Sequence, residues 1–211
     1  MKFSVTLVDS VPQIEQAILS SLLPQVSQYA KEAMKNIKNE ISSIVLTSIM
    51  ESPEYDSLLN GKLKYELGLS DGASQIAGLL KIWTSNIEYN FDAPQIVKDK
   101  IKGGFSINMI KIDFSDVLYT DYAYMTDQLR GYSLPWLQWL LLEGNAVLIK
   151  GYYVTLGPSA RSRTGFAVMT PAPNDWKIPA EFAGTSNDNW ITRAIEACSS
   201  AIETSLTKVL Q

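Results

Sequence analysis

The chain has 211 residues, of which 46% are apolar and 19% charged, and carries a formal net charge of −4 with no histidine. That mixture is globular and long enough for one sizeable domain, while the acidic balance disfavours a dedicated nucleic-acid binder, which needs a basic face. A single cysteine, Cys198, excludes an intrachain disulfide and fits a reducing compartment, and the lack of histidine excludes Ser-His-Asp triads, Cys-His dyads and ordinary zinc sites.

Met1 to Val8 alternates before meeting Asp9-Ser10, and is too short and too polar for a signal peptide. No apolar run approaches the ~20 residues a membrane span needs. Ser10 can cap a long helix whose first turn takes Pro12, with Glu15 close to capping-box range. From Val26 the positions Val26, Ala30, Ala33, Ile37, Ile41, Ile44 and Ser48 recur near a helical period, and Lys31, Lys35, Lys38 and Glu40 take the opposite face. This stripe is narrow and rich in small residues. It suits docking on the domain's own sheet or packing between subunits. Pro24 is expected to kink or split the helix. Glu51-Ser52-Pro53 ends it, and Ser52 caps a short helical turn through Tyr55 and Leu58, closed by Asn60-Gly61. Leu63 to Leu69 reads as irregular or extended. Asp71 then caps a helix from about Ala73 to Asn86, with Ile76, Leu79, Leu80 and Trp83 on one face.

The middle of the chain reads as strands. Ile87 to Phe91 extends before Pro94. After Gly103-Gly104 come Phe105, Ile107 and Met109, and the phase then slips to Ile110, Ile112 and Phe114, as at a β-bulge. Pro135 starts a compact helix that Gly144 stops; it is apolar nearly all round and should be buried between layers. Ala146 to Ile149, Tyr152 to Leu156 and Phe166 to Met169 read as further strands. The last two are joined by the polar loop Gly157 to Gly165. Thr185 to Asn189 is a cluster of capping residues ahead of the stripe Ile191, Ala194, Ile195, Cys198, Ala201, Ile202 and Leu206. Helices at both ends and strands between them predict an α+β fold. The expectation is a single domain over 1–211, helical over 10–87 and β-rich over 88–184 with a short helix at 135–143. A C-terminal helix at 187–210 and the long N-terminal helix pack on a central, mainly antiparallel β-sheet.

Few residues suggest chemistry. Asp113, Asp116 and Asp121 could ligate a hard cation, but their spacing matches no calcium loop, and a solvated strand end explains them as well. A metal-dependent nuclease or phosphoesterase would draw on Asp113, Asp116 and Glu143, although Glu143 and Lys150 lie too far apart for an acidic-x-Lys signature. Lys98, Lys100 and Lys102 form the most basic stretch, read as an exposed turn or a weak phosphate contact. Arg161 and Arg163 lie in the Gly157–Gly165 loop, which lacks large apolar residues and is expected to project as an interface; a plain surface loop, or an anion site on backbone N–H groups, is the alternative, although the closing Gly-Lys-Ser/Thr of a phosphate loop is absent. Cys198 reads as a buried, inert thiol. Trp136, Trp139, Trp176 and Trp190 read as core and interface anchors; Arg161, Arg163, Trp176 and Trp190 are the candidate interface set. No catalytic residue, metal or cofactor is expected.

Four runs in the last fifty residues carry a resemblance. They are Ser162-Arg163-Thr164-Gly165-Phe166-Ala167-Val168-Met169, Trp176-Lys177-Ile178-Pro179, Phe182-Ala183-Gly184-Thr185, and Asn189-Trp190-Ile191-Thr192-Arg193-Ala194-Ile195. Together they resemble virion neck proteins of tailed bacteriophages, in particular the tail-completion (head–tail joining) family. Members of that family have a long N-terminal helix followed by a Pro-x-x-x-Gly-x-Leu segment. Here Ser52-Pro53-Glu54-Tyr55 and Asn60-Gly61-Lys62-Leu63 stand in its place with extra residues between. The aromatic-x-x-x-Ala helix start is matched by Trp190 to Ala194. The resemblance is loose over the first ninety residues and leaves the middle unassigned. It implies a non-enzymatic structural protein, assembled in the host cytoplasm and located in the virion. Such a subunit forms a homo-oligomeric ring between a portal-side connector and the tail, with no cofactor, no membrane contact and no sequence-specific nucleic acid. An acidic surface lining the ring would let DNA pass by like-charge repulsion. A tail terminator or a baseplate protein is the nearest alternative.

Overall fold

The computed structural model describes residues 8–109, 114–127 and 131–210, so the N-terminal alternation and Asp113 lie outside the described residues. The fold class is α+β. Its spine is α1, Val11–Met50, a helix of 40 residues and therefore about 60 Å long. Ser10 opens it in extended conformation, and Gln13, not Glu15, closes the start: its Oε1 accepts from the Ser10 N–H at 2.8 Å. The C-terminal half is buried along Ala33, Ile37, Ile41, Val45 and Ile49. The centre of the stripe thus passes to Val45 and Ile49, and Ile44 and Ser48 sit at its margin.

The helix runs through Pro24 without a break. A hairpin supplies the reason. Strands β1 (Glu88–Val97) and β2 (Lys100–Asn108) pair antiparallel and lie alongside α1. The Tyr89 hydroxyl donates to the Lys38 carbonyl at 2.9 Å, and Gln16 Nε2 donates to the Lys98 carbonyl at the hairpin turn. Tyr89 to Lys98 covers roughly 30 Å of strand and Lys38 to Gln16 roughly 33 Å of helix, so the two run in step and the hairpin splints the turn that Pro24 weakens. Strand β1 continues past Pro94, with its register shift between Asp92 and Gln95. Gly103 is required there, because a Cβ would sit 2.6 Å from Pro94 Cα. The phase slip expected from Met109 to Ile110, Ile112 and Phe114 falls on a stretch of which Ile110 to Asp113 lie outside the described residues. Phe114 is no strand residue: it is buried at φ 53° ahead of α5, Ser115–Leu118.

Short helices α2 (Pro53–Leu59) and α3 (Lys62–Glu66) follow α1, then α4 (Gly72–Ser85). Ser52 caps α2 as expected, accepting from the Tyr55 N–H at 3.2 Å. The stretch read as irregular at Leu63–Leu69 is helical in its first half because Leu63 buries fully beside the Ser57 hydroxyl, which accepts its N–H at 3.0 Å. Strands β3 (Met125–Asp127) and β4 (Tyr132–Leu134) form a second hairpin. Helix α6 (Trp136–Leu142, after α5) is buried through Trp136, Leu137, Leu140 and Leu141. Strands β5 (Tyr152–Leu156) and β6 (Ala167–Pro171) form a third hairpin. Ala146 to Ile149 is not a strand; it contributes one bridge, Ile149 to Trp176.

Among the described residues the strands therefore make three separate two-stranded antiparallel sheets, where one central sheet was expected. Each strand pairs only with its sequence neighbour, and the β1–β2 hairpin lies against α1. The last helix is two, α7 (Trp190–Ala197) and α8 (Ser199–Leu210). They are separated at Cys198, where Ser199 and Ser200, weak helix formers, follow. The direction is kept, since Cys198 N–H donates to the Ala194 carbonyl and Ile202 N–H to the Cys198 carbonyl. Asn189 caps α7 with its side chain accepting from Ile191 and Thr192 N–H groups. Helices α7 and α8 run back along α1: Ser48 donates to the Ala194 carbonyl at 2.6 Å and Tyr29 to the Val209 carbonyl at 2.8 Å.

Candidate interaction surface

Two surfaces on α1 stand out, one at each end. Toward the N-terminus, α8 stops beside Tyr29 and the β1–β2 hairpin covers only the side that Gln16 faces. The side away from it bears Val11, Ile18 and Leu22 at 63%, 53% and 44% exposure, with Ile14 half-buried between them. At 100° per residue Ile18 lies 200° from Gln16, so this ridge points away from the hairpin. Three turns of helix thus present an apolar row to solvent. Between residues 11 and 30 the helix carries one charge, Glu15, and otherwise Gln and Ser.

Toward the C-terminus, α1 and the α7–α8 pair diverge around a groove of about 800 Å³. Small side chains line its walls, among them Ser43 and Thr47 from α1 and Ala197 and Ala201 from α7 and the start of α8. Its rim carries Glu51, Glu54, Glu181 and Arg193, and Lys62 Nζ stands 3.6 Å from Glu181 Oε1, so two of the three carboxylates have a cation beside them. Glu54 is only 3% exposed, and Arg193 meets its Oε1 with Nη2 at 2.6 Å and Nε at 3.1 Å. Arg193 Nη1 also donates to Asp188 at 2.8 Å. Burial opposes the Arg193 charge, but the hydrogen bonds it donates to Glu54 and Asp188, with their negative charges, outweigh it and hold its pKa above the ordinary value. Sequence reasoning missed this pair because Glu54 and Arg193 are far apart in the chain. The signal that could have found them is the α7 cap, which fixes the direction in which Arg193 leaves the helix.

The expected interface residues separate. Trp190 is fully buried, its Nε1 donating to Ser52 Oγ at 2.7 Å and its ring edge-on to Trp83 with centroids 5.4 Å apart. Trp176 is also core: its Nε1 donates to Glu66 Oε2 at 3.4 Å and its ring stands edge-on to Trp139. Both anchor the interior and present no free face. The Gly157–Gly165 loop does not simply project. It is tied internally, with Ser159 N–H donating to the Gly165 carbonyl at 3.1 Å and Ala167 N–H to Ser162 Oγ at 3.0 Å. Arg163 is half-buried and bonds the Met125 sulfur, and Phe166 stacks obliquely on Tyr65 at 5.2 Å. A loop without large apolar residues still docks, because the arginine stem supplies the apolar surface. Arg161 stays exposed.

The candidate metal ligands are not assembled. Asp116 Oδ2 accepts from Asn86 at 3.2 Å, Asp121 is exposed in a 3₁₀ turn (Asp121–Ala123), and Glu143 accepts from Gln138 at 3.0 Å at the end of α6. Among the described residues no group of three acidic, His or Cys side chains is placed to hold a metal ion. Lys98, Lys100 and Lys102 are exposed at the β1–β2 turn. Cys198 is buried and its thiol pKa is raised, first by burial, and no helix among the described residues is long and apolar enough to cross a membrane. Comparison of the chain with protein-family models, with curated proteins and with solved structures finds no match.

Proposed function

We propose that this chain is a structural, non-catalytic subunit that works by assembling with copies of itself. We further propose that the assembly is a neck or tail-completion ring of a tailed-bacteriophage virion, joining the head to the tail. The observation that supports self-assembly is the ridge on α1. Val11, Ile18 and Leu22 are each about half exposed and so forgo roughly 1 kcal/mol of burial apiece, and a row of three left uncovered among the described residues is a surface a partner can cover. The neck assignment rests on the quoted runs of the C-terminal third. Light scattering on the purified chain across concentration tests the first part: a mass of several subunits is expected, and a monomer at every concentration would refute it. Mass spectrometry of purified phage particles from the source genome tests the second, with the chain expected at fixed stoichiometry in the virion. Magnesium- or manganese-dependent hydrolysis of DNA by the pure protein would favour the phosphoesterase alternative.

A further inference from the structure

Resting on the self-assembly reading, we infer that the contact between neighbouring copies is the apolar ridge of one α1 seated in the α1/α7–α8 groove of the next. Shape is the first argument. The ridge from Val11 to Leu22 is about 16 Å long and the groove wall from Ser43 to Glu51 about 12 Å, at 1.5 Å per residue. A groove walled by Ser43, Thr47, Ala197 and Ala201 lets another helix approach closely, because small side chains shorten the interaxial distance.

Electrostatics is the second argument. Helix α1 carries no acid in its first turn and no base in its last turn, so neither pole of its dipole is offset within those turns. At the C-terminal end the imbalance is deepened by Glu51, the capping residue, which stands on the groove rim while Glu54 and Glu181 are paired with Arg193 and Lys62. Seating the N-terminal turns of a neighbour there brings a positive pole against the negative one. The lysines of the β1–β2 turn, Lys98, Lys100 and Lys102, travel with that N-terminal end through the Gln16 bond; Asp9, Glu15 and Asp99 are the acids that accompany them.

Each copy has one ridge and one groove, so the contact joins unlike surfaces and leaves each subunit able to bind two neighbours, as a closed ring requires. A lipid surface fits the ridge less well. Membrane-surface helices carry Lys and Arg on the polar face, and α1 has neither between residues 11 and 30.

The test uses full-length protein with Cys198→Ser, prepared as two single-cysteine versions, Ile18→Cys and Thr47→Cys. Mixed and treated with a short bis-maleimide, the two should give a cross-linked dimer. Thr47→Cys mixed with Ser106→Cys, on the outer face of β2, should not. Leu22→Asp should weaken assembly at least a hundredfold and Glu51→Lys about tenfold by light scattering. A wild-type oligomer that gives no Ile18–Thr47 cross-link, or whose mass ignores Leu22→Asp, overturns this contact while leaving self-assembly standing. A wild-type monomer at every concentration overturns both. Binding of phosphatidylglycerol vesicles that Leu22→Asp abolishes, without cross-linking, assigns the ridge to a membrane and also overturns the inference. The cross-link is read on protein that keeps Leu22, so it decides the matter even if Leu22→Asp folds poorly.

Discussion

Replacing Arg193 by Met isolates the electrostatic cost of the groove's one cation. Met retains most of the apolar stem, so the change removes charge and hydrogen bonds more than packing. It leaves Glu54, with its side chain 4% exposed, without the two bonds that Arg193 makes to its Oε1. Breaking a fully buried ion pair costs ~3–5 kcal/mol. Here the Arg193 side chain is 34% exposed and the groove admits water to the vacated space, so we expect a loss of about 2–3 kcal/mol, measured by urea unfolding near neutral pH. Neutralising the orphan by adding Glu54→Gln should return part of that loss, with a coupling energy on the order of 1–2 kcal/mol in the double-mutant cycle. The Asp188 bond at 2.8 Å is to a largely exposed carboxylate and should contribute at most ~1 kcal/mol. A loss below about 0.5 kcal/mol for Arg193→Met would show that Glu54 is solvated in solution and refute the reasoning.

Gly184→Ala would place a methyl group 2.6 Å from the Leu140 carbonyl oxygen and 2.6 Å from Asn189 Cβ. We expect it to destabilise by about 1–3 kcal/mol, whereas Gly104→Ala, with nothing within 4 Å, should melt within a degree or two of wild type. Glu66 has its pKa raised, first by burial, against the opposing pull of Lys62 and the Trp176 N–H. A raised acid contributes stability that is fully present below its unfolded pKa and is lost as pH rises through the folded value, so wild type should gain on Glu66→Gln as urea titrations move from pH 7 toward pH 4. A flat or opposite trend would count against a buried carboxylate. Lys98 holds φ 61° in the β1–β2 turn, a conformation that is strained for Lys and free for Gly; Lys98→Gly should raise stability by up to about 1 kcal/mol, and a lower melting temperature would place the lysine side chain in a stabilising contact.

Long helices with strong punctuation were the legible part of this fold. Ser52-Pro53, the apolar face of α4, the block Trp136–Leu142 and the Thr185–Asn189 caps each state their element locally. The misreadings share a cause, which is that a distant segment overrides a local signal. Pro24 stays inside α1 because a hairpin some seventy residues later lies against it. Pro94 stays inside β1 because Gly103 across the ladder gives it room. The three hairpins looked like one sheet because alternation reports that a strand has a covered face, and says nothing about which element covers it.

The candidate site was legible in pieces. The helical period of α1 is legible from Val26 onward, yet the functional interest lies before it, where Val11, Ile14, Ile18 and Leu22 continue the apolar pattern with no covering element among the described residues. Only the end of α8 at Tyr29 distinguishes the covered half from the bare one. Residue type alone makes Trp176 and Trp190 interface candidates; their indole N–H groups instead bond Glu66 and Ser52 inside the body.

The central claim is that α1 assembles copies of this chain through its N-terminal ridge. It is tested most directly by light scattering on size-separated wild type and Ile18→Asp, side by side across a hundredfold range of concentration. Ile18 is more than half exposed, so the substitution should leave the melting curve within about 0.5 kcal/mol. The account predicts a multi-subunit wild type and an Ile18→Asp protein that is folded and monomeric. Equal masses for the two proteins, with both folded, would contradict it.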